Sequence, residues 1–189
     1  MQLKSYLNSF AIFSEEEINQ ALPLFVLRKV EKGTYFIREG QFCSEVAFIE
    51  KGIFRSFYPS ETGEEITYCF RFQNEFMTAY SAFITGNKSI ENLQAISNGE
   101  LLVIPKKEIE QLAEKNPKWV LFLKIVAEQQ YLELEGRVFQ LQRDSAQKRY
   151  QGLVDNQPEY IQLISGQHLA SYLGITQRHL IRIRKQIVL

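Results

Sequence analysis

The sequence predicts an α+β chain, built as a small antiparallel β-roll of the jelly-roll kind, then one long helix, then a compact helical segment at the carboxyl end. Three observations carry this. The hydrophobic period is two from about Leu24 to Pro105, turns helical at Lys106, and is reset near Asp144, where Ser145 can cap a new helix. No helix-length stretch separates the successive strands, which favours an antiparallel roll over an α/β fold.

The elements follow in order. A short amphipathic start covers about Leu3 to Leu22, with Ser14 and the run Glu15-Glu16-Glu17 offering a helix cap. Strands come next. In "EVAFIEKGIFRSFYPSETGEEITYCFRF", Ile66, Tyr68, Phe70 and Phe72 fall on one face and Thr67, Cys69 and Arg71 on the other, with "PSETGEE" as the hairpin turn. Gly33, Gly40, Gly52, Gly86 and Gly99 punctuate the strands. "KKEIEQLAEKNP" is a short helix, and after Pro117, which suits a helix start, a long one runs from about Lys118 to Gln142. Val120, Leu123, Ala127, Tyr131, Leu134, Val138 and Leu141 form an apolar seam over roughly three heptads. That seam can pack on its own roll or meet a twin helix. Its length and its flanks Lys124, Glu128, Glu133, Glu135 and Arg137 favour a homodimer, although Gly136 weakens the helix. The expected division is residues 1–116, 117–143 and 144–189.

Composition sets the outer limits. The chain has 189 residues, 45% hydrophobic and 23% charged, enough apolar material for real cores. No apolar run approaches the roughly 18 residues of a membrane span, and "MQLKSYLNSF" lacks the pattern of a secretion signal, so a cytoplasmic location with no membrane partner is expected. Cys43 and Cys69, in strand-like segments, read as reduced, half-buried thiols, too few for an iron–sulfur or zinc set. The only histidines are His168 and His179, so residues 1–167 offer neither a histidine metal cluster nor a histidine base for a nucleophile. No enzyme, metal or cofactor is expected. The net charge of zero conceals an asymmetry. Residues 145–189 carry six basic and two acidic side chains, against 16 and 20 in residues 1–144. One end alone is suited to phosphates.

That end contains "GQHLASYLGITQRHLIRIR", Gly166 to Arg184. A helix-turn-helix needs a small residue where its helices meet, a turn at positive φ and an apolar clamp. Ala170, Gly174 and the set Leu169, Leu173, Ile175, Leu180 and Ile183 meet these needs, and Thr176 can cap the second helix. That helix then presents Gln177, Arg178, His179 and Arg182 outward, with Arg184 and Lys185 extending the basic surface, to bases and phosphates of double-stranded DNA. The alternative is an ordinary helical hairpin with a solvated basic face, in a protein-interaction or effector-sensing module that does not bind DNA.

The order of parts, with "EKGTYFIREGQ" and "QNEFMTAYSAFITGNKSIENLQAIS" in the roll, then the long helix, then "SAQKRY" and "LASYLGITQRHLIRIRK", resembles the Crp/Fnr family of bacterial transcription regulators. The resemblance covers nearly the whole chain. It implies a cyclic-nucleotide-binding-like roll, a dimerising helix and a DNA-binding helix-turn-helix, with Gln177, Arg178 and Arg182 at base-reading and phosphate-touching places. RNA polymerase is admitted as a further partner, with no surface for it visible in the sequence.

The departures from the family pattern bear on the effector. Members that bind cyclic nucleotide use a Gly-Glu pair and an Arg-Ser or Arg-Thr pair, and the resemblance puts Thr78 and Ala79 at the first pair and Ser89 and Ile90 at the second. Without the arginine and the carboxylate, phosphate and ribose lose their partners, and Lys88 is only a point charge. Cyclic nucleotide is therefore not expected. Tyr68, Phe70, Phe76, Tyr80 and Phe83 are candidates to line a pocket for another effector, or simply to pack. The chain stops just past the second motif helix, where many members of the family continue into a β-hairpin wing, so fewer phosphate contacts are expected.

Overall fold

The computed structural model of the protein describes residues 2–187. Val188 and Leu189, where the expectation of a missing wing falls, lie outside the described residues. The chain forms two compact units, Met1–Tyr58 with Cys69–Val126, and Pro59–Tyr68 with Ala127–Leu189.

The first unit opens with two helices where the periodicity suggested one amphipathic start, α1 (Gln2–Ser9) and α2 (Glu15–Ala21), followed by a 3-10 turn at Leu22–Leu24. Ala11 takes a left-handed φ of 54°, which ends the first helix, and Ser14 starts the next. The restart is a capping box: Ser14 Oγ accepts from the Glu17 amide at 3.2 Å and the Ser14 amide donates to Glu17 Oε2 at 2.7 Å.

Among the described residues eight strands follow: β1 (Val26–Val30), β2 (Tyr35–Ile37), β3 (Glu45–Lys51), β4 (Phe54–Pro59), β5 (Glu65–Arg71), β6 (Phe76–Met77), β7 (Asn92–Ala95) and β8 (Gly99–Pro105). They form two four-stranded sheets, in the orders β1-β8-β3-β6 and β2-β7-β4-β5. The registers described are antiparallel, so the roll read from the period of two is present. Gly52, at φ 109°, lets two backbones cross: a Cβ there would lie 2.9 Å from the Gly99 Cα. Strand β8 explains its unbroken apolar run "LLVI". Leu101 and Val103 join the inner cluster of the roll with Ile49, Phe54, Met77 and Leu93, while Leu102 and Ile104 join a second cluster with Leu3, Ile18, Trp119 and Phe122. Both of its faces are dry. The alternation read in β5 likewise separates no wet face from a dry one, since Thr67, Cys69 and Phe70 are all buried. Cys43 and Cys69 are thiols, buried rather than half-buried, and Cys43, just ahead of β3, sets its Sγ 3.2 Å from Thr78 Oγ1.

Helix α3 (Tyr80–Thr85), absent from the sequence reading, ends on left-handed Gly86, and α4 (Lys106–Lys115) follows β8. Asn116 Oδ1 then accepts from the Lys118 amide at 3.0 Å and opens α5 (Pro117–Arg143). Lys118 Nζ reaches Glu17 Oε2 at 2.8 Å. This bridge, with the Ser14 amide, holds the Glu17 carboxyl down at about 2 from its ordinary 4.5. A depressed carboxyl contributes stability above its unfolded value and loses it as pH falls through the folded one. Acid unfolding of Glu17→Gln, followed by Trp119 fluorescence, is therefore expected to vary less with pH between 4.5 and about 2 than the wild type. Equal slopes would count against this bridge.

The second unit contains the later part of α5, then α6 (Ala146–Asn156), α7 (Pro158–Leu163), α8 (Gly166–Tyr172) and α9 (Gln177–Ile187). Ser145 caps α6 as expected, accepting from the Lys148 amide at 3.2 Å. Helix α7, with Pro158 in its first turn, was not visible in the hydrophobic pattern. No described helix is long and apolar enough to cross a membrane.

Candidate nucleic-acid interface

Helices α8 and α9 are joined by a tight turn whose parts the sequence supplies. Ser165 Oγ accepts from the His168 amide at 3.2 Å and so begins α8, and Thr176 Oγ1 accepts from the His179 amide at 3.2 Å and begins α9. Gly174 sits at φ 66°, where a side chain would strain the turn. Leu169, Ala170, Leu173, Leu180 and Ile183 are buried between the helices, with Ile175 half-buried. All the clamp residues read from the sequence are on the inner side.

A helix turns about 100° per residue, so once Leu180 and Ile183 fix the inner face of α9, the outer face follows. Arg178, Ile181, Arg182 and Lys185 are exposed along it, and Thr176 and Gln177 are exposed at its start. The same geometry corrects two expectations. His179 is half-buried at one edge. Arg184 follows Leu180 and Ile183 inward: its Cζ lies 5.9 Å from the Tyr150 ring centroid, and its Nε is buried without a hydrogen-bond partner. It packs against α6 instead of extending the basic surface. The sequence reasoning missed the bonds that hold the end of α8, from Ser171 to the Glu65 carbonyl and from Arg137 and Arg149 to the Tyr172 and Leu173 carbonyls, because hydrophobic spacing carries no signal for a contact to a distant backbone atom.

The effector candidates do not converge. Ala79 is fully buried in the inner cluster, whereas Ile90 is 74% exposed. Thr78 Oγ1 donates to the Glu45 carbonyl at 2.8 Å, and Ser89 Oγ donates to the Glu91 carbonyl at 2.8 Å. Phe76 packs outside the inner cluster, against Tyr6, Phe48 and Phe122. Phe70 is buried, Tyr68 is half-buried, and Tyr80 is exposed. Phe83 is half-buried beneath Lys106, while the exposed Lys88 has its Nζ 6.0 Å from the Phe42 ring centroid. A surface concavity of about 450 Å³, lined by Phe36, Ile37, Gln41, Phe42, Cys43, Ser44 and Glu45, contains none of these candidates. The described residues contain no group of His, Cys, Asp and Glu able to hold a metal ion.

The seam of α5 faces outward. Trp119 and Phe122 anchor the helix in the second cluster, while Val120, Leu123, Tyr131, Leu134, Val138 and Leu141 are exposed. Ala127 is half-buried. Beside the seam runs a second exposed ridge, Leu121, Leu132 and Phe139, that the heptad reading did not single out.

The described residues thus comprise an antiparallel roll, a long helix with an exposed apolar seam and a terminal helix pair with a basic outer strip. Residues 27–116 match the family model described as the cyclic nucleotide-binding domain. Three solved structures share the fold over most of the chain. FixK2 from Bradyrhizobium japonicum has a TM-score of 0.75 at 16% identity, covering 86% of this chain and 84% of that one. The c-di-GMP responsive global regulator CLP of Xanthomonas campestris has a TM-score of 0.74 at 18% identity, covering 92% and 91%. A transcriptional regulator of the Crp/Fnr family from Eubacterium rectale has a TM-score of 0.73 at 15% identity, covering 96% and 87%. The chain therefore has the fold of Crp/Fnr transcription regulators, as the sequence resemblance implied. No curated protein matches it.

Proposed function

We propose that the chain is a sequence-specific DNA-binding transcription regulator that acts as a homodimer and is not controlled by cyclic nucleotide. The observation that carries this is the outer strip of α9: three exposed cations, Arg178, Arg182 and Lys185, with Gln177 at the amino end, lie opposite a buried apolar edge. Arginine and glutamine are side chains that read guanine and adenine edges in the major groove. In a dimer through the α5 seam, two such strips would address half-sites about 34–36 Å apart.

Independence from cyclic nucleotide rests on the cassette. Thr78, Ala79, Ser89 and Ile90 supply neither a cation for a phosphate nor a carboxylate for a ribose. Glu91 is buried, in phase with Leu93 and Ala95 of the inner cluster, so a buried phosphate nearby would meet a carboxylate. Isothermal titration with cyclic nucleotide is expected to give no heat of binding.

Binding to DNA is tested by selecting fragments from random duplex and titrating the selected site. Arg178→Ala and Arg182→Ala are each expected to weaken binding by about 1–3 kcal/mol if they contact bases, and by less if they contact only phosphate. Log affinity should also fall with log salt by about 0.9 per phosphate neutralised. Unchanged affinity in both variants would remove α9 as the reading helix.

A further inference from the structure

One aliphatic side chain of α9 leaves the clamp. Leu180 and Ile183 are buried and Ile187 is half-buried, whereas Ile181 is 50% exposed. At about 100° per residue Ile181 falls on the outer strip, with Gln177 and Arg178 one turn before it and Lys185 one turn after. The nearby glutamine turns away from it. Gln177 Nε2 lies 3.6 Å from where a Cβ would stand on Gly166, the first residue of α8, so the amide points back toward that helix. All these residues belong to the second compact unit.

A single exposed aliphatic is ordinary on a protein surface, and its surroundings limit what it can meet. Here the exposed cations Arg178, Arg182 and Lys185 flank it. A purely apolar partner would take these charges out of water unpaired, at a cost well above what one isoleucine contributes. A polyanion keeps them satisfied at its phosphates. Of the groups that duplex DNA displays in the major groove, the donors and acceptors serve guanidinium and amide side chains, and the C5-methyl of thymine is the apolar one. Cytosine at the same place presents an amino donor and no methyl, and an isoleucine would leave that donor without a partner.

We propose that Ile181 is a specificity-determining residue that meets the C5-methyl group of one thymine in each half-site. This rests on the proposed reading of α9 and adds to it a base that neither arginine nor glutamine selects. The cations draw the strip to the duplex whatever its sequence, and Ile181 makes one pyrimidine position discriminating.

Fragment selection with the full chain is expected to return a thymine at one fixed position in each half-site. Each thymine of the selected duplex is then replaced in turn by uracil, which keeps the hydrogen-bonding edge and lacks only the methyl. At one position the wild type should bind about fourfold more weakly per half-site, and about fifteenfold more weakly with both half-sites changed, the effect of one buried methyl group each time. Ile181→Ser should bind the thymine and uracil duplexes equally, with the salt slope of the wild type, because no cation has changed. Ile181→Val keeps a branched aliphatic and should keep the discrimination. Both variants should melt near the wild type, since Ile181 lies outside the clamp. A selected half-site without thymine, a wild type indifferent to uracil at every position, or an Ile181→Ser variant that discriminates as the wild type does would each overturn the assignment. Equal DNA affinities of the wild type and Ile181→Ser would overturn it too, and would leave Ile181 to a protein contact or to bare surface. If the wild type selects no duplex at all, the reading of α9 fails and the assignment with it. If it selects duplex and ignores the methyl, only the assignment of Ile181 fails.

Discussion

If the chain dimerises through the α5 seam as proposed, the double variant Tyr131→Glu, Leu134→Glu is expected to sediment as a monomer at concentrations where the wild type sediments as a dimer, and to lose most of its affinity for a two-half-site operator. Tyr131 and Leu134 are 62% and 54% exposed on α5, so the protomer does not need them for its own packing. Burying a large apolar side chain contributes about 1.5–3 kcal/mol, and a symmetric interface counts each residue twice. Removing four such contacts and placing four carboxylates in the seam should weaken association by at least about 4 kcal/mol, roughly a thousandfold. Operator affinity should fall with it, because a monomer contacts one half-site at a time. The protomer should melt near the wild-type temperature. Wild-type sedimentation of the double variant would place the interface elsewhere and leave the seam without its proposed partner.

The largest effect on stability is expected from Phe122→Ala. Phe122 is almost fully buried, with ring centroids 5.1 Å from Phe10, 5.7 Å from Phe13, 5.8 Å from Trp119 and 6.1 Å from Phe76. It joins the amino-terminal helices, the first sheet and the start of α5 in one cluster. Truncating a buried Phe removes its transfer energy and leaves a cavity, costing about 3–5 kcal/mol. The four aromatic neighbours are large and each is held by others, so collapse into the space should be limited. Denaturant unfolding followed by the fluorescence of Trp119, the single tryptophan of the chain, reports on this cluster directly. A loss below about 1 kcal/mol would mean that the cluster repacks freely.

Much of the layout was legible in the chain. Glycine and serine announce themselves, because few residues can take the left-handed turn that Gly174 takes, or cap α6 as Ser145 does. The period of two in the roll and the seam of α5 were legible for a similar reason, as spacing alone decides which side chains share a face. Other features left no mark. The first helical stretch split at Ala11 because a single backbone dihedral, invisible to hydrophobic spacing, ends α1. Helices α3 and α7 have six residues each, too short to display a period. Arg184 was misread because a charged residue was taken to mean an outward one, whereas its long apolar stem lets it lie along Tyr150.

The sequence by itself determined that the chain has a roll, a long amphipathic helix and a basic helix pair, because local propensity and periodicity set the type of each element and its apolar face. Tertiary structure alone decided which neighbours those faces meet. Arg137 and Tyr172 are 35 positions apart, and Ser171 and Glu65 are 106 apart, and only the path of the folded chain brings such groups within hydrogen-bonding reach. Hydrogen bonds act over about 3 Å, so no pattern confined to neighbouring residues can encode them.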